Sequence, residues 1–570
     1  MKNAARIALL LGAGMLAAGQ KVSPDFPGQS SAPGSTFGFM SPGSFINVDA
    51  VIQFNGRFSS FLGQLASYGS VKRSFNSTNS VVLTLPAFAV KALASMGFVK
   101  YITPNRGVKG ALDITTSTVN ANVAWTSGYN GSGIGVAVID SGVSQKNDLM
   151  ASDKIHSRVV YSQSFVDGDS SAGDAYGHGT HVAGILGSNG ADSTGTGFTR
   201  TFQGVAPNVN VVNLRVLDQN GSGTDSDVIA AINQAIALKN TYNIRVINLS
   251  LGRPVFESYT LDPLCQAVEA AWQAGIVVVA AAGNYGRDNT YGESGYGTIV
   301  APGNDPYVIT VGATNAKGTS YRSDDVMASY SSKGPTAIDH FVKPDLVAPG
   351  NAVVSELASN SDTLAVKNPG QKVGMNYFQS GNPSGTSANY FRLSGTSMAT
   401  PVVSGAAALL LQKTPSLTPD QVKARLMKTA GKGQLPPVSM GVDIHSYAHY
   451  NVQADIFTVG AGYLDINAAL ASPDLVAMPA MSASAFYDGG SRQVSIIRNF
   501  SVIWGDSVIW GDLALYGTAV FSGRLPSGTS VIWGDSVVWG DSTNGAFSVV
   551  WGDGFGGAGL AALASSDSDQ

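Results

Sequence analysis

The middle of this sequence predicts an α/β fold, a parallel sheet with helices on both faces. Three observations carry that reading. Runs rich in Val and Ile ("IGVAVI", "VNVVNLRVL", "IRVINLSL", "GIVVVAAAG", "YVITVGAT") recur between about 111 and 472. Stretches with helical apolar spacing separate them. The runs are continuous rather than alternating, as strands buried on both faces require. In such sheets ligands bind beyond the carboxyl ends of the strands, so the residues just after each run are the candidates for function.

Other segments flank this domain, because 570 residues exceed what one core usually holds. Residues 1–19 read as a signal peptide. Lys2 and Arg6 precede a short apolar run ending in Ala-Ala-Gly, a pattern for export. The run is short for a membrane span. The expected location is therefore secreted or extracellular, with association to the cell envelope left open. Residues 20–110 hold a Ser/Gly/Pro-rich linker and a small module. In order, "INVDAVIQF" reads as a strand, "FSSFLGQLASYG" as a helix and "SVKRSFNSTNSVVLTLP" as a hairpin. "AFAVKALASMG" then reads as a second helix and "VKYITP" as a last strand. That βαββαβ order predicts a ferredoxin-like α+β unit.

Residues 473–570 form a third region, predicted to be β-rich. The hexapeptide "SVIWGD", or its variant "SVVWGD", occurs five times and carries Trp504, Trp510, Trp533, Trp539 and Trp551. Gly-Asp after β-formers suits a two-residue hairpin turn. An even period also suits one continuous strand with every Trp on one face. Strand packing, envelope anchoring and stacking on glycan or substrate are all open as roles.

Composition removes some function classes. The net charge is −4, which argues against a nucleic-acid partner. One cysteine, Cys265, excludes an intrachain disulfide. It lies in a helical apolar pattern without a basic neighbour, and reads as a core thiol.

Four motifs carry chemistry. "GVAVIDSGV" puts Asp140 directly after a strand, as a helix cap or as a carboxylate at the mouth of the sheet. "YGHGTHVAGILGS" offers His178 and His181 at the start of a helix. Their spacing lacks the glutamate of a zinc motif. His178 lies among glycines that allow close approach, and His181 faces the apolar side as a structural residue. "VVVAAAGNYG" ends a strand with Asn284, a turn-former or an amide donor to an oxyanion. Finally, within "SGTSANYFRLSGTSMATP" Gly-Thr-Ser occurs twice in close succession, ending at Ser387 and Ser397. Ser397 opens a long apolar helix with Pro401 near its start, so free N–H groups surround it. Ser387 has no such helix and reads as a loop serine.

Together these motifs resemble the subtilase family of serine proteases, whose triad runs Asp, His, Ser along the chain. "GVAVIDSGV", "HGTHVAG", "AAAGN" and "SGTSMATP" match its signature segments. "GVAP" (204–207), "SLG" (250–252) and "KPDLVAPG" (343–350) match further ones. The resemblance covers about 111–472. Residues 45–104 resemble the family's inhibitory propeptide in element order and position.

The resemblance implies a subtilisin-like fold and a serine endopeptidase made as a self-processing proenzyme. Ser397 attacks the scissile carbonyl, His178 is the general base and Asp140 orients it. Asn284 and the Ser397 N–H hold the oxyanion. Gly221, Ser222 and Gly223, with Ser250, Leu251 and Gly252, line the strands that pair with an extended polypeptide substrate. Tyr285 lies near the primary specificity pocket, where no acidic residue is evident, so apolar or aromatic side chains are expected there. The chemistry requires no cofactor and no catalytic metal. Asp167, Asp169 and Asp174 could hold a structural calcium or form an exposed acidic loop. A surface-binding protein on an inactive protease fold and a narrow processing protease are the alternatives.

The chain departs from compact family members between 351 and 394, where a long segment is expected to form a loop near the active-site rim. Charge also divides along the chain. Residues 45–110 hold seven basic side chains against one acid, Asp49, whereas 111–475 hold 21 basic and 28 acidic residues. A basic module before an acidic domain suits an intramolecular inhibitor.

Overall fold

The computed structural model describes residues 21–22, 47–75, 79–104, 111–290, 294–443, 446–477, 479–488, 493–497, 503–504, 507–508, 537–538, 560–562 and 569. The signal-peptide reading of 1–19 and most of the Trp hexapeptides lie outside these residues. The chain divides into two compact units, Met1–Val108 and Lys109–Gln570.

The first unit has the element order expected from its sequence. Strand β1 (Asn47–Phe54) is followed by a short helix α1 (Leu62–Leu65) and the hairpin β2 (Ser70–Phe75) and β3 (Ser80–Pro86). Helix α2 (Ala89–Ala94) and β4 (Val99–Pro104) complete it. The antiparallel sheet runs β2-β3-β1-β4, the split βαβ arrangement. Its core gathers Ile52, Leu65, Val81, Leu83, Leu93 and Ile102. Asp49, the single acid of this module, accepts hydrogen bonds from Lys72 (2.7 Å) and Thr84 (2.6 Å).

In the second unit the apolar runs become β5 (Gly135–Asp140), β6 (Val159–Ser164), β7 (Asn210–Arg215), β9 (Ile244–Leu249), β11 (Val277–Ala281), β12 (Ile309–Asn315) and β14 (Leu346–Pro349). They pair in parallel, in the order β12-β11-β9-β5-β7-β6, with β14 also on β12. One short strand, β13 (Val326–Met327), joins β12 antiparallel. Every residue of β5, β11 and β12 is buried. That needs cover on both faces. The cover comes from α3 (His178–Gly187), α4 (Asp225–Leu238), α5 (Pro263–Gln273), α6 (Thr396–Lys413) and α7 (Pro419–Thr429). Helix α3 packs on α6, and α4 on α5. Thr224 caps α4 and Asp262 caps α5, each accepting from a backbone N–H of the first turn. Cys265 is buried on α5 as expected. Burial raises its thiol pKa, which makes it a packing residue.

Two short strands stand apart from the main sheet, β8 (Ser222–Gly223) and β10 (Leu251–Gly252). The strand Leu560–Ala562 lies between them, antiparallel to both.

The segment 351–394 is not a rim loop. It forms β15 (Val353–Glu356), β16 (Lys372–Gly374) and β17 (Thr386–Leu393), a three-stranded antiparallel sheet in the order β15-β17-β16. Tyr390 of this sheet packs with Phe378 and Phe202, and Phe391, which points to the other face, is also buried. Ser387 is therefore a strand residue, and its Oγ accepts from the Asn389 and Tyr390 N–H groups. In the β-rich region, Ile503–Trp504 pairs antiparallel with Ser507–Val508. Among the described residues no helix is long and apolar enough to cross a membrane.

Candidate active site

Asp140 is the last residue of β5 and is buried at the carboxyl end of the sheet. Its Oδ1 accepts from the Ser141 N–H and from His178 Nδ1, both at 2.7 Å. His178 begins α3 and is fully buried. The glycines around it set the distance. A Cβ on Gly179 would lie 2.2 Å from the Gly142 carbonyl and 3.1 Å from Asp140 Cβ, so only glycine lets α3 approach β5 this closely. Gly177 has φ +105° and abuts the Asp362 carboxylate.

Asp174 braces the same turn, and the sequence alone did not single it out for this. Its carboxyl accepts from Gly177 N–H, Thr180 N–H and Oγ1, and Ser141 Oγ. Burial pushes it up to about 6, against the hydrogen bonds that pull it down.

With Nδ1 held by Asp140, His178 Nε2 is the atom left for chemistry. It is buried and has no hydrogen-bond partner among the described residues. A buried nitrogen without a partner is costly, and marks a place where a proton donor is meant to arrive.

Ser397 is the second residue of α6. Pro401, four residues on, has no N–H, so the Ser397 carbonyl lacks its helical donor. Ser250 Oγ supplies one at 2.9 Å. In return, Ser397 Oγ donates to the Ser250 carbonyl at 2.9 Å. The structure thus joins His178 to Asp140 directly. It holds the serine hydroxyl on Ser250 rather than on His178. Catalytic hydrogen bonds often form only when substrate is bound, and a change of rotamer about χ1 frees the hydroxyl. The helices carrying the two residues, α3 and α6, pack on each other.

Asn284 follows β11. Its Oδ1 accepts from Thr396 N–H (2.9 Å) and Thr396 Oγ1 (3.0 Å), which fixes the orientation of the amide next to Ser397. Gly283 N–H donates to the same Thr396 hydroxyl. Thr396 is therefore a positioning residue that the Gly-Thr-Ser motif contains but that sequence reasoning passed over.

The substrate-strand residues divide. Ser222, Gly223, Leu251 and Gly252 are in strands, as expected. Gly221 is a turn residue instead, with φ +76°, and a Cβ there would meet the Tyr176 ring. Ser250 precedes β10, and its side chain serves α6. Tyr285 is 37% exposed beside Asn284, and its N–H donates to Ser332 Oγ.

The acidic residues considered for calcium do not gather. Asp169 pairs with Arg215 at 2.7 Å, and Asp174 serves the His178 turn. Among the described residues no group of three or more metal-capable side chains forms.

His181 has the structural place expected of it. Its Nε2–H donates to the Val353 and Phe391 carbonyls. Burial pushes its imidazole down to about 3. The unfolded chain takes up this proton below about pH 6.5 and the folded chain does not, so the stability present at pH 7 is lost as pH falls toward 3. This residue is expected to add about 1.4 kcal/mol of lost stability per pH unit below 6.5. Urea unfolding from pH 7 to 4 checks this, and His181→Gln should flatten the decline.

Comparison with known proteins gives the family of the chain. The family model described as Subtilase family matches residues 131–461. Serine protease AprX of Bacillus subtilis (strain 168) is 36% identical over 370 residues, 64% of this chain and 76% of that protein. Subtilisin DY of Bacillus licheniformis is 36% identical over 313 residues, 55% of this chain and 89% of its own. Subtilisin E of Bacillus subtilis (strain 168) is 34% identical over 366 residues, 64% of this chain and 78% of its own. The chain belongs to the subtilase family and is a subtilisin-like serine endopeptidase.

Proposed function

We propose that this chain is a secreted proenzyme that hydrolyses polypeptides through Asp140, His178 and Ser397. The observation that supports it best is the His178 Nδ1 contact with Asp140, which leaves a buried, unpartnered Nε2. On this reading Ser397 Oγ leaves the Ser250 carbonyl when substrate enters and gives its proton to Nε2. The new C–O bond makes a tetrahedral oxyanion. Asn284 Nδ2 and the Ser397 N–H stabilise that charge. The imidazolium, steadied by Asp140, then donates to the leaving amine and yields an acyl-enzyme. Water completes the cycle with His178 again as base. Side chains and backbone amides supply each step, and a calcium ion, if bound, has a structural role only.

The unit Met1–Val108 acts as the inhibitory propeptide, which its βαββαβ order and basic charge support. The β-rich region after 472 serves strand pairing or envelope or glycan contact. Asn284→Ala is expected to lower kcat about 10²–10³-fold with little change in KM, measured on a chromogenic peptide. Paired expression of the full chain and Ser397→Ala, read by intact mass and casein digestion, tests the whole reading. The wild type should lose about 110 N-terminal residues and digest casein. Both proteins folded, uncut and inert would refute it.

A further inference from the structure

The slot between β8 and β10 is the one assigned above to an extended substrate, and in this chain it is filled. Leu560–Ala562 is its middle strand. Leu560 pairs with Gly223, Ala561 with both Ser222 and Gly252, and Ala562 with Leu251. Both pairings are antiparallel. The next residue of the β10 side is Ser250, whose carbonyl holds the Ser397 hydroxyl.

Seven residues further on, Asp569 is anchored in a site built for it. Its carboxylate accepts from Ser329 N–H (2.5 Å), Ser329 Oγ (2.6 Å) and Arg287 Nη2 (2.9 Å). Its backbone exchanges hydrogen bonds with the Asn351 side chain, N–H to Oδ1 and Nδ2 to carbonyl, both at 2.9 Å. Asn315 Nδ2 donates to the same carbonyl. Asp569 is buried. The anchor adjoins the catalytic set along the chain. Arg287 is three residues after Asn284. Asn351 follows Gly350, whose carbonyl accepts from Gly395, two residues before Ser397.

We propose that the segment carrying Leu560–Ala562 and Asp569 is a tethered occupant of the substrate cleft, an autoinhibitory strap that substrate must displace. The proposal rests on the protease reading, because it concerns regulation of the same cleft. The physical basis is competition for the same backbone groups. A substrate strand and Leu560–Ala562 need the same N–H and C=O groups of Ser222–Gly223 and Leu251–Gly252. A cleft filled most of the time by its own chain binds substrate with an apparent affinity reduced by the open fraction. The strap therefore raises KM and leaves kcat alone. Asp569 is its latch, since the burial of an unpaired carboxylate would be unfavourable without Arg287 and Ser329.

Two full-chain variants open the strap at independent points. Asp569→Ala removes the latch. Ala561→Pro removes a strand N–H, which a central strand does not tolerate. A measurement independent of catalysis comes first, hydrogen exchange in the Ser397→Ala background. Peptides covering Ser222–Gly223 and Leu251–Gly252 should be protected in the parent and should exchange at least tenfold faster in both variants. Melting temperature shows that each variant is folded. In the active chain, each variant should lower KM at least tenfold on a short peptide substrate with kcat unchanged. Equal exchange in the parent and whichever variants fold overturns the strap. So does an unchanged KM in an active, folded variant. Exchange that responds while no variant hydrolyses peptide keeps the strap and refutes the protease reading instead.

Discussion

Replacing Ser397 with alanine is expected to lower kcat about 10⁶-fold on a short peptide substrate, with KM changed little. The size follows from how the reaction is divided. Without Oγ there is no acyl-enzyme, and His178 Nε2 has no hydroxyl proton to take. What survives is the rate due to binding and the oxyanion donors alone. The fold should persist, because the lost contact is one hydrogen bond to the Ser250 carbonyl, a cost of about 1 kcal/mol. The reciprocal bond from Ser250 Oγ to the Ser397 carbonyl remains, so the first turn of α6 keeps its support at Pro401. Active-site titration alongside the rate measurement separates lost chemistry from lost protein. A drop of less than about 100-fold would mean that another residue is the nucleophile.

Asp140→Asn is the second large effect, about 10⁴-fold in kcat. The carboxylate accepts from two donors at once, Ser141 N–H and His178 Nδ1. An asparagine can keep one acceptor and must turn an NH₂ toward other groups. If that NH₂ faces His178, Nδ1 must become the acceptor, the proton moves to Nε2, and the base is blocked before the reaction starts. Burial sharpens the effect, since neither side chain can turn to water. The ¹⁵N chemical shifts of His178 in the variant check the tautomer, and the rate checks the consequence. The two substitutions should not add. In a Ser397→Ala background, Asp140→Asn should cost little more, because the residues act as one unit.

Much of this site was legible in the sequence for a physical reason. Strands buried on both faces must be almost wholly apolar, so Asp140 and Asn284 stand out where β5 and β11 end. Helix starts carry their own signs as well, in the glycines around His178 and in Pro401 after Ser397. What the sequence did not show depends on distant partners. "TSANYFRL" reads locally as part of a loop, yet it is β17, because its pairing partners begin at Val353 and Lys372. Ser387, Tyr390, Phe391 and Leu393 are buried, on both faces of the strand, so they give no alternating pattern until the neighbouring strands are known. The motif groups Gly221 with Ser222, whereas its positive φ makes it a turn. Asp569 lies in "SSDSDQ", a stretch that reads as solvated. Its burial depends on Arg287, 282 positions away in the chain. The same holds for Leu560–Ala562, whose neighbours in space are β8 and β10. Local pattern reports faces and caps, and it is silent on which remote strand completes a sheet.

The central claim is that Ser397, activated through His178, is the nucleophile. The most direct test treats the folded full chain with a fluorophosphonate and maps the adduct by peptide mass spectrometry. The account predicts a single phosphonylated residue, Ser397, with labelling abolished in Ser397→Ala and strongly slowed in His178→Ala. Label on Ser387 or elsewhere, or undiminished labelling of Ser397→Ala, would contradict it.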